Sequence, residues 1–175
     1  MTFTTLTIPT VSTSAATSIT TNSATLNGNL TSLGTAATVN VFFEYGTTTS
    51  YGSTTTAQAM TAPGAFSINT PEISPDTTYH FRARVDGGVY GINTGADMTF
   101  KTGPPIRPTV STSPATPVTI TSNAATLNGY LGSVGTATTV NVSFEYWTIT
   151  GYGSTTTPQA MTATGAFSVN LTGLT

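Results

Sequence analysis

The chain contains no cysteine and very little charge. Its 175 residues include four basic and six acidic side chains, so charged residues make up 6% of the chain and the net charge is -2. The absence of cysteine excludes disulfides and thiolate metal sites. Four basic side chains cannot neutralise a track of phosphates, which excludes nucleic acid as a partner.

Histidine and long apolar runs are also scarce. His80 is the only histidine, and no counterpart of it recurs later in the chain. A hydrolase needs a nucleophile, a base and an orienting group, and the alternation places His80 outward on a strand as an ordinary surface residue. No apolar run approaches the roughly 18 residues of a membrane span. No basic segment precedes an apolar core, so we recognise no signal peptide, and a mature or trimmed secreted protein would look the same. We predict no catalytic residue, no cofactor, no metal site and no enzyme activity.

What the chain does have is threonine and aromatic side chains. Threonine is by far the commonest residue, and 7 Tyr and 8 Phe accompany many Val and Ile. Such β-branched and aromatic residues are enriched in strands, whereas disordered chains lack them. The composition predicts an all-β protein with a surface of hydroxyls and amides.

A long internal repeat organises the sequence. The segment Ala24–Gly28 returns as Ala125–Gly129, and Phe43-Glu-Tyr45 returns as Phe144-Glu-Tyr146. The offset of about 101 residues matches one small β-sandwich domain. The sequence therefore predicts two tandem copies of one sandwich.

Alignment of the copies predicts the domain boundaries. The predicted parts are an opening strand and linker at 1–10, a complete domain at 11–102, a Pro-rich linker at 103–109 and an incomplete domain at 110–175. The opening segment Met1, Thr2, Phe3, Thr4 and Thr5 matches residues 98–102, the last strand of the first domain. The second copy has no counterpart of the last two strands. Adjacent prolines in the linker favour an extended, stiff segment.

Alternation with a period of two defines the strands and their faces. The seven predicted strands of the first domain lie at about 11–20, 23–32, 37–46, 52–60, 64–72, 77–86 and 89–102. Phe42 is replaced by Ser143 in the second copy, so its face is predicted to lie outward, and Phe43 inward. The predicted core consists of Leu26, Val41, Phe43, Phe66, Ile68, Tyr79, Phe81, Val85 and Phe100.

One segment carries a family resemblance. Residues Ile73-Ser-Pro-Asp-Thr-Thr-Tyr79 resemble the segment that leads into the sixth strand of fibronectin type III domains. The resemblance implies two immunoglobulin-like sandwiches, of which the second lacks its last two strands. It also implies that the hydroxyl of Tyr79 bonds back to the chain. The usual core tryptophan of the second strand is missing, and Leu26 or Gly28 falls near its place.

The few charged residues suggest one surface patch. Glu44, Arg82, Arg84 and Lys101 project from one sheet if strands three, six and seven are neighbours, as the resemblance implies. They form either cross-strand pairs worth roughly 0.2–1 kcal/mol each or a recognition patch. The acids Asp76, Asp86 and Asp97 are scattered near strand ends, whereas calcium needs a cluster of oxygen ligands.

Three Asn-x-Ser/Thr sequons offer modification sites. Their asparagines, Asn29, Asn141 and Asn170, fall on outward positions of the alternation. In an organism that N-glycosylates, they are the candidate glycan sites.

The favoured function is structural: a repeat of an extracellular or cell-surface fibre, stalk or adhesin in a microbe. A surface with few ionisable groups makes stability nearly indifferent to pH and salt, and offers few cleavage sites to trypsin-like proteases. The alternative is a non-catalytic spacer or carbohydrate-binding module of a larger secreted enzyme. Phe42 and Trp147 are its candidate sugar-stacking residues, and glycans are then the partner.

The incomplete second copy raises the question of self-association. The missing strands would cover the apolar row Val140, Val142, Phe144 and Tyr146 and pair its edge, and uncovered edges recruit other chains. Three explanations stay open: a neighbouring copy donates Met1–Thr5 in head-to-tail polymerisation, the chain is a window of a longer polymer, or the monomer is partly open.

Overall fold

The structure is a computed structural model that describes residues 5–114, 123–147 and 153–174. The chain divides into two compact units, Met1–Pro104 (unit 1) and Pro105–Thr175 (unit 2). The division falls between two prolines of the Pro-rich segment. In the described ranges the only helical element is a three-residue 3-10 turn. None of the helices described there is long and apolar enough to cross a membrane.

Unit 1 is a β-sandwich of two antiparallel sheets. Its described strands are β1 (Thr10–Thr17), β2 (Thr25–Ser32), β3 (Val39–Gly46), β4 (Ser53–Thr54), β5 (Gln58–Met60), β6 (Gly64–Asn69), β7 (Thr78–Asp86), β8 (Ile92–Thr94) and β9 (Met98–Lys101). One sheet has the order β1-β2-β6. The other has the order β4-β3-β7-β8, with β5 also pairing with β3 and β9 with β7. The all-β fold class predicted from the sequence is confirmed.

The core lies between the two sheets and follows the predicted faces. Phe43 and Phe81 are 0% exposed, whereas Phe42 and Arg82 on the opposite face are half-buried. The Phe43 ring of β3 lies 5.1 Å from that of Phe66 in the other sheet. Eight of the nine predicted core residues are buried, and Ile68 is only half-buried. The register is therefore as the alternation predicted.

The predicted fourth strand, 52–60, is broken into β4 and β5. Thr55 between them is buried, and its N–H donates to the Phe43 carbonyl at 2.9 Å. Its hydroxyl accepts the Phe43 N–H at 3.0 Å. Because a side chain takes the place of a backbone acceptor, the ladder cannot continue through this residue.

The predicted seventh strand, 89–102, is also broken. It consists of the 3-10 turn Gly88–Tyr90, then β8 and β9. The Gly95 N–H between them donates to the Ala83 carbonyl at 2.9 Å, while the Ala83 N–H donates to Thr13 Oγ1 of β1 at 3.0 Å. A Cβ atom at Gly95 would collide with Thr13. The break therefore makes room for a side chain of the other sheet.

A phenylalanine on a neighbouring strand occupies the space over Gly28. Phe66 lies opposite Gly28 in the register, and a Cβ at Gly28 would come within 2.7 Å of the ring. Gly129 and Phe167 repeat this arrangement in unit 2. The ring of Phe66 on β6 thus fills core space beside β2, the strand in which the resemblance led us to expect a tryptophan. The hydrogen bond predicted for Tyr79 is present, since its hydroxyl accepts the Ser74 N–H at 3.0 Å.

Unit 2 repeats the first six strands of the sandwich. Its described strands are β10 (Thr109–Ser113), β11 (Ala124–Ser133), β12 (Val140–Val142), β13 (Glu145–Tyr146), β14 (Ser154–Thr155), β15 (Gln159–Met161) and β16 (Gly165–Thr172). One sheet has the order β10-β11-β16, and the other side consists of the pairs β12-β15 and β13-β14. Thr156 makes the two hydrogen bonds to Phe144 that Thr55 makes to Phe43. Its N–H donates to the Phe144 carbonyl at 2.9 Å, and its hydroxyl accepts the Phe144 N–H at 2.9 Å.

The apolar row of unit 2 is partly covered. Val142 and Phe144 are buried, and Val140 and Tyr146 are half-buried. The Phe144 ring lies 4.9 Å from Phe167 of the opposite sheet. All four are more exposed than their counterparts in unit 1, which are buried and where β7 pairs with β3, so the opposite sheet covers the row only in part. What the missing strand leaves open is an edge.

Candidate functional site

The outer face of the β3–β7 pair carries an ion-pair cluster. In the register, Glu44 lies opposite Arg82, and Phe42 lies opposite Arg84. Arg82 Nε donates to Glu44 Oε2 at 2.7 Å, and Arg84 Nη1 donates to Glu44 Oε1. The Glu44 side chain is 12% exposed. A single shielded carboxylate therefore holds both guanidinium groups.

Two aromatic rings and a second acid extend this cluster. The Arg82 guanidinium lies 4.7 Å from the centroid of the Tyr51 ring, and the Arg84 guanidinium lies 5.6 Å from that of Phe42. Tyr51 sits at the end of the β3–β4 turn with φ of 58°. Its hydroxyl donates to Asp97 Oδ1 at 2.9 Å. The arginines thus pack between their carboxylate and the rings.

A histidine completes the network at its other end. His80 Nδ1 lies 2.8 Å from Asp97 Oδ2, and both side chains are partly exposed. We call this network the charged face, and it consists of Phe42, Glu44, Tyr51, His80, Arg82, Arg84 and Asp97. Its polar groups bind mainly one another, so its chemistry is that of mutual pairing across strands.

The network shifts three pKa values. Burial is the largest single influence on Glu44 and raises its pKa, but the bonds and charges of Arg82 and Arg84 together hold it below the ordinary value. The hydrogen bond from His80 holds the pKa of Asp97 below its ordinary value. Burial, followed by the bond to Asp97, raises the pKa of Tyr51. At neutral pH both carboxyls are therefore ionised, and the phenol is neutral.

Three of the four predicted patch residues meet here. Glu44, Arg82 and Arg84 are joined, but Lys101 instead bonds Asp76 at 2.8 Å, with both side chains well exposed. Lys101 lies opposite Thr78 at the far end of β7, out of reach of Glu44. The four residues lie on one sheet as expected, but Lys101 does not contact the other three.

Sequence reasoning missed the partners of His80. Asp97 comes from the break between β8 and β9, and Tyr51 comes from a turn, so alternation along strands gave no signal for either. The other scattered acids also have separate partners, since Asp86 Oδ1 accepts the Gly88 N–H at 2.7 Å. In the described ranges no three of the His, Asp and Glu side chains come together as a metal site.

The sequon asparagines all lie on strands. Asn141 and Asn170 are exposed, and Asn29 is half-buried. Asn170 Oδ1 accepts a bond from the Thr126 hydroxyl at 2.7 Å. Exposure of the side chain is what a glycan requires, so Asn141 is the best placed of the three predicted sites.

Unit 2 has a groove where unit 1 has β7. The groove has a volume of about 560 Å³ and is lined by Thr112, Leu127, Ser143, Phe144, Glu145, Tyr146 and Trp147. Among the strands described in unit 2, β12 pairs with β15 and β13 with β14, and none pairs with the opposite edge. We call this feature the open groove.

The proposed donor strand falls largely outside the described residues. Met1, Thr2, Phe3 and Thr4 lie outside them, and Thr5 is exposed. The strand that this segment matches, β9, pairs with β7 in unit 1 and not with β3. A segment equivalent to β9 would therefore lie one strand away from the open groove.

These features define an all-β protein built from repeated sandwich units. No family model matches the chain, and no curated protein matches it. The solved structures that are similar include a short and a long form of the sensor domain of the anti-sigma factor RsgI4 from Pseudobacteroides cellulosolvens. The short one has 19% identity and a TM-score of 0.44, covering 57% of this chain and 99% of that chain. The long one has 22% identity and a TM-score of 0.42, covering 55% and 91%.

Proposed function

We propose that the chain is a structural repeat segment of an extracellular fibre, stalk or adhesin, built from fibronectin type III-like domains, without catalytic activity. The observation that carries this proposal is the way in which the chain is fixed at the start of each unit. A spacer array needs each domain to hold its own connecting segment, because loose connections would let neighbouring domains move independently.

The same anchor precedes both sandwiches. In unit 1 the Thr35 N–H donates to the Thr7 carbonyl at 3.0 Å, and in unit 2 the Thr136 N–H donates to the Ile106 carbonyl at 3.0 Å. Glycines with positive φ, Gly34 and Gly135, precede these donors. A Cβ at either glycine would collide with the anchored segment. The anchor thus depends on a residue type that both copies share.

The short segment between the units is hydrogen-bonded at both of its ends. The Gly103 N–H donates to the Thr20 carbonyl at 2.9 Å, and its own carbonyl accepts the Asp76 N–H at 2.8 Å. Ile106 is the first anchored residue of unit 2. Only Pro104 and Pro105 stand between, and proline fixes φ and narrows the choice of conformations. This limits the backbone conformations open to the two linking residues.

The surface chemistry supports a location outside the cell. The chain has only one lysine and three arginines, and two of those arginines are bound to Glu44. Trypsin-like proteases therefore meet few free cleavage sites. Threonine and serine hydroxyls keep such a surface hydrated without charge.

Surface labelling of the source cells tests this proposal. Antibodies against the purified chain are applied to intact cells, before and after brief digestion with proteinase K, with an antibody against a cytosolic protein as the control. We expect labelling of intact cells that digestion removes. Labelling that appears only after lysis would overturn the proposal.

The exposure of Trp147 supports the alternative function, a carbohydrate-binding module. Trp147 is 44% exposed beside the open groove, whereas the Phe42 ring lies under Arg84 in unit 1. A glycan array probed with the chain and with Trp147→Ala separates the two functions. Binding that the substitution abolishes would favour the carbohydrate-binding module.

A further inference from the structure

A cavity lies at one end of unit 1, beside the charged face. Its volume of about 720 Å³ is typical of sites that bind small molecules. The end of β3, the turn into β4 and the segment that leads into β7 form its wall. We call it the tyrosine cavity, and its polar side chains include Tyr45, Thr47, Tyr51, Ser53, Glu72 and Ser74.

Hydrogen bonds hold both sides of the tyrosine cavity in place. On one side, the Ser74 N–H donates to the Tyr79 hydroxyl at 3.0 Å. On the other side, the Tyr51 N–H donates to the Thr48 carbonyl at 3.0 Å, and the Tyr51 hydroxyl donates to Asp97 Oδ1 at 2.9 Å. A site that is already ordered loses little conformational entropy when a ligand binds.

The turn that forms one wall has an unusual backbone. Tyr51 has φ of 58°, in the left-handed region that bulky residues rarely adopt. A Cβ atom at Gly46 would collide with the Tyr51 carbonyl, and the second copy of the repeat has Trp147 at this position. Such backbone strain is concentrated at functional sites in proteins. It therefore directs the search for a ligand site to this turn of unit 1.

The tyrosine cavity contains hydroxyl groups that have no partner. Within the described ranges, nothing bonds the side-chain hydroxyls of Tyr45, Ser53 and Ser74. The Tyr45 side chain is buried, but its hydroxyl remains accessible at the cavity wall. Glu72 Oε1 accepts a bond of 3.4 Å from Asn22 Nδ2, and its second carboxylate oxygen is free. A ligand would therefore find both donors and acceptors.

The charge of the lining limits the class of ligand. Glu72 is the only charged side chain among the lining residues, so an anion would meet repulsion and no cation. A quaternary ammonium group needs open aromatic faces. Arg82 already lies 4.7 Å from the centroid of the Tyr51 ring, and Phe100 stacks on Tyr79 at 5.5 Å. The lining thus fits best an uncharged ligand that is rich in hydroxyl groups.

We propose that the tyrosine cavity binds an uncharged saccharide. Its hydroxyl groups bond Tyr45, Ser53, Ser74 and the free oxygen of Glu72. Its ring lies against Tyr51, on the side away from Arg82, because Arg82 lines a separate, smaller cavity on this tyrosine.

The inference goes beyond the proposed function, since a spacer needs no ligand. It also uses neither Phe42 nor Trp147, the sugar-stacking residues of the alternative function.

Titration of the full chain with uncharged disaccharides tests the proposal. The probes are lactose, maltose, cellobiose and N,N′-diacetylchitobiose, with choline and N-acetylneuraminic acid as charged controls. We expect at least one disaccharide to shift the backbone NMR resonances of residues 45–53 and 72–75, and the charged compounds to leave them unchanged. No shift with any disaccharide, or a shift with choline or N-acetylneuraminic acid alone, would overturn the proposal.

Two conservative variants locate the bound sugar. Tyr45→Phe removes a hydroxyl, and Glu72→Gln removes a charge. Each should weaken binding of the responding disaccharide by about three- to tenfold, the loss expected for one hydrogen bond. Tyr90→Phe is the matched control at the opposite end of β7 and should leave the affinity unchanged. Unchanged affinity in both cavity variants would overturn the assignment.

Urea unfolding of Tyr45→Phe shows whether the fold is intact. Because this hydroxyl bonds nothing in the described structure, the free energy of unfolding should be unchanged, so that a loss of affinity reports the contact with the sugar. A loss of affinity that is matched by unfolding of unit 1 would count against the contact.

Trp147→Ala separates this site from the alternative function. Sugar binding at the tyrosine cavity should survive that substitution. Binding that Trp147→Ala abolishes and Tyr45→Phe preserves would place the sugar in unit 2 and overturn the proposal. Surface labelling reports only on cellular location, so it succeeds or fails separately from these measurements.

Discussion

Units 1 and 2 contain the same first six strands but differ in the strand that crosses their centre. In unit 1, β3 runs unbroken over Val39–Gly46, while in unit 2 the same stretch is interrupted at Ser143 and Phe144 between β12 and β13. In unit 1 β7 pairs with this part of β3, and no strand described in unit 2 takes that position. The comparison teaches that the central strand is unbroken and fully covered in the unit that contains β7, and interrupted and partly covered in the other.

The two units also differ in charge. Eight of the ten charged residues belong to unit 1, and unit 2 contains only Arg107 and Glu145. The sequence-based expectation of near indifference to pH therefore applies better to unit 2. In unit 1 four of the eight charged residues, Glu44, Arg82, Arg84 and Asp97, belong to one network with shifted carboxyl pKa values.

The largest expected effect is that of removing a ring that only unit 1 contains. Phe81→Ala should lower the free energy of unfolding of unit 1 by about 3–5 kcal/mol, the range for a buried phenylalanine. Hydrogen exchange by mass spectrometry measures unit 1, and the emission of Trp147, the chain's only tryptophan, reports on unit 2. Unit 2 should be unchanged. A loss below about 1 kcal/mol would contradict the burial of Phe81.

The next largest effect is expected for substitution of Glu44, whose carboxylate binds two arginines in unit 1. Glu44→Gln should destabilise unit 1 by about 1–2 kcal/mol at pH 7, a value reduced by the partial exposure of both arginines. Glu145→Gln is the matched control and should have little effect on unit 2. Urea unfolding of each variant, followed separately for each unit, measures both.

The same substitution predicts a pH dependence. Because the folded-state pKa of Glu44 is depressed, its contribution is complete above the ordinary value of 4.5 and is lost as the pH falls through the folded value. Unit 1 should therefore lose stability below about pH 5, and Glu44→Gln should flatten this part of the curve. An identical acid slope with and without Glu44 would show that the pair is not linked to folding.

A smaller effect should be shared by the two units. Thr55→Val and Thr156→Val each leave a phenylalanine N–H without its acceptor, and each should cost about 1 kcal/mol. The serine variants keep the hydroxyl and should restore most of this loss. Unequal effects at the two threonines would mean that the common strand break is held differently in the two units.

The smallest effect is expected for the charge that lies apart. Lys101→Ala removes an exposed pair with Asp76 and should change stability by less than about 0.5 kcal/mol. Thermal unfolding in low and high salt measures it. A salt-sensitive loss comparable to that of Glu44→Gln would mean that Lys101 interacts with the charged face after all.

The sequence predicted what depends on periodicity. The faces of β3 and β7, and therefore the meeting of Glu44 with Arg82, follow from alternation and register. It could not predict the breaks at Thr55 and Gly95, because neither Thr55 nor Thr13, which lies against Gly95, is distinguishable in a threonine-rich chain. The bond between His80 and Asp97 depends on the second of these breaks, so it was missed for the same reason.

The closed core of unit 2 has a consequence for synthesis on the ribosome. Chains emerge from their N-terminus, and domains fold as units during synthesis. A sandwich whose first six strands already bury Phe144 against Phe167 can hold together before a seventh strand leaves the exit tunnel. In unit 1 the nascent chain should therefore pass through a folded six-strand stage. Arrest of translation at a point where residue 74 has left the exit tunnel and β7 has not, followed by limited proteolysis, would reveal it as a protected fragment.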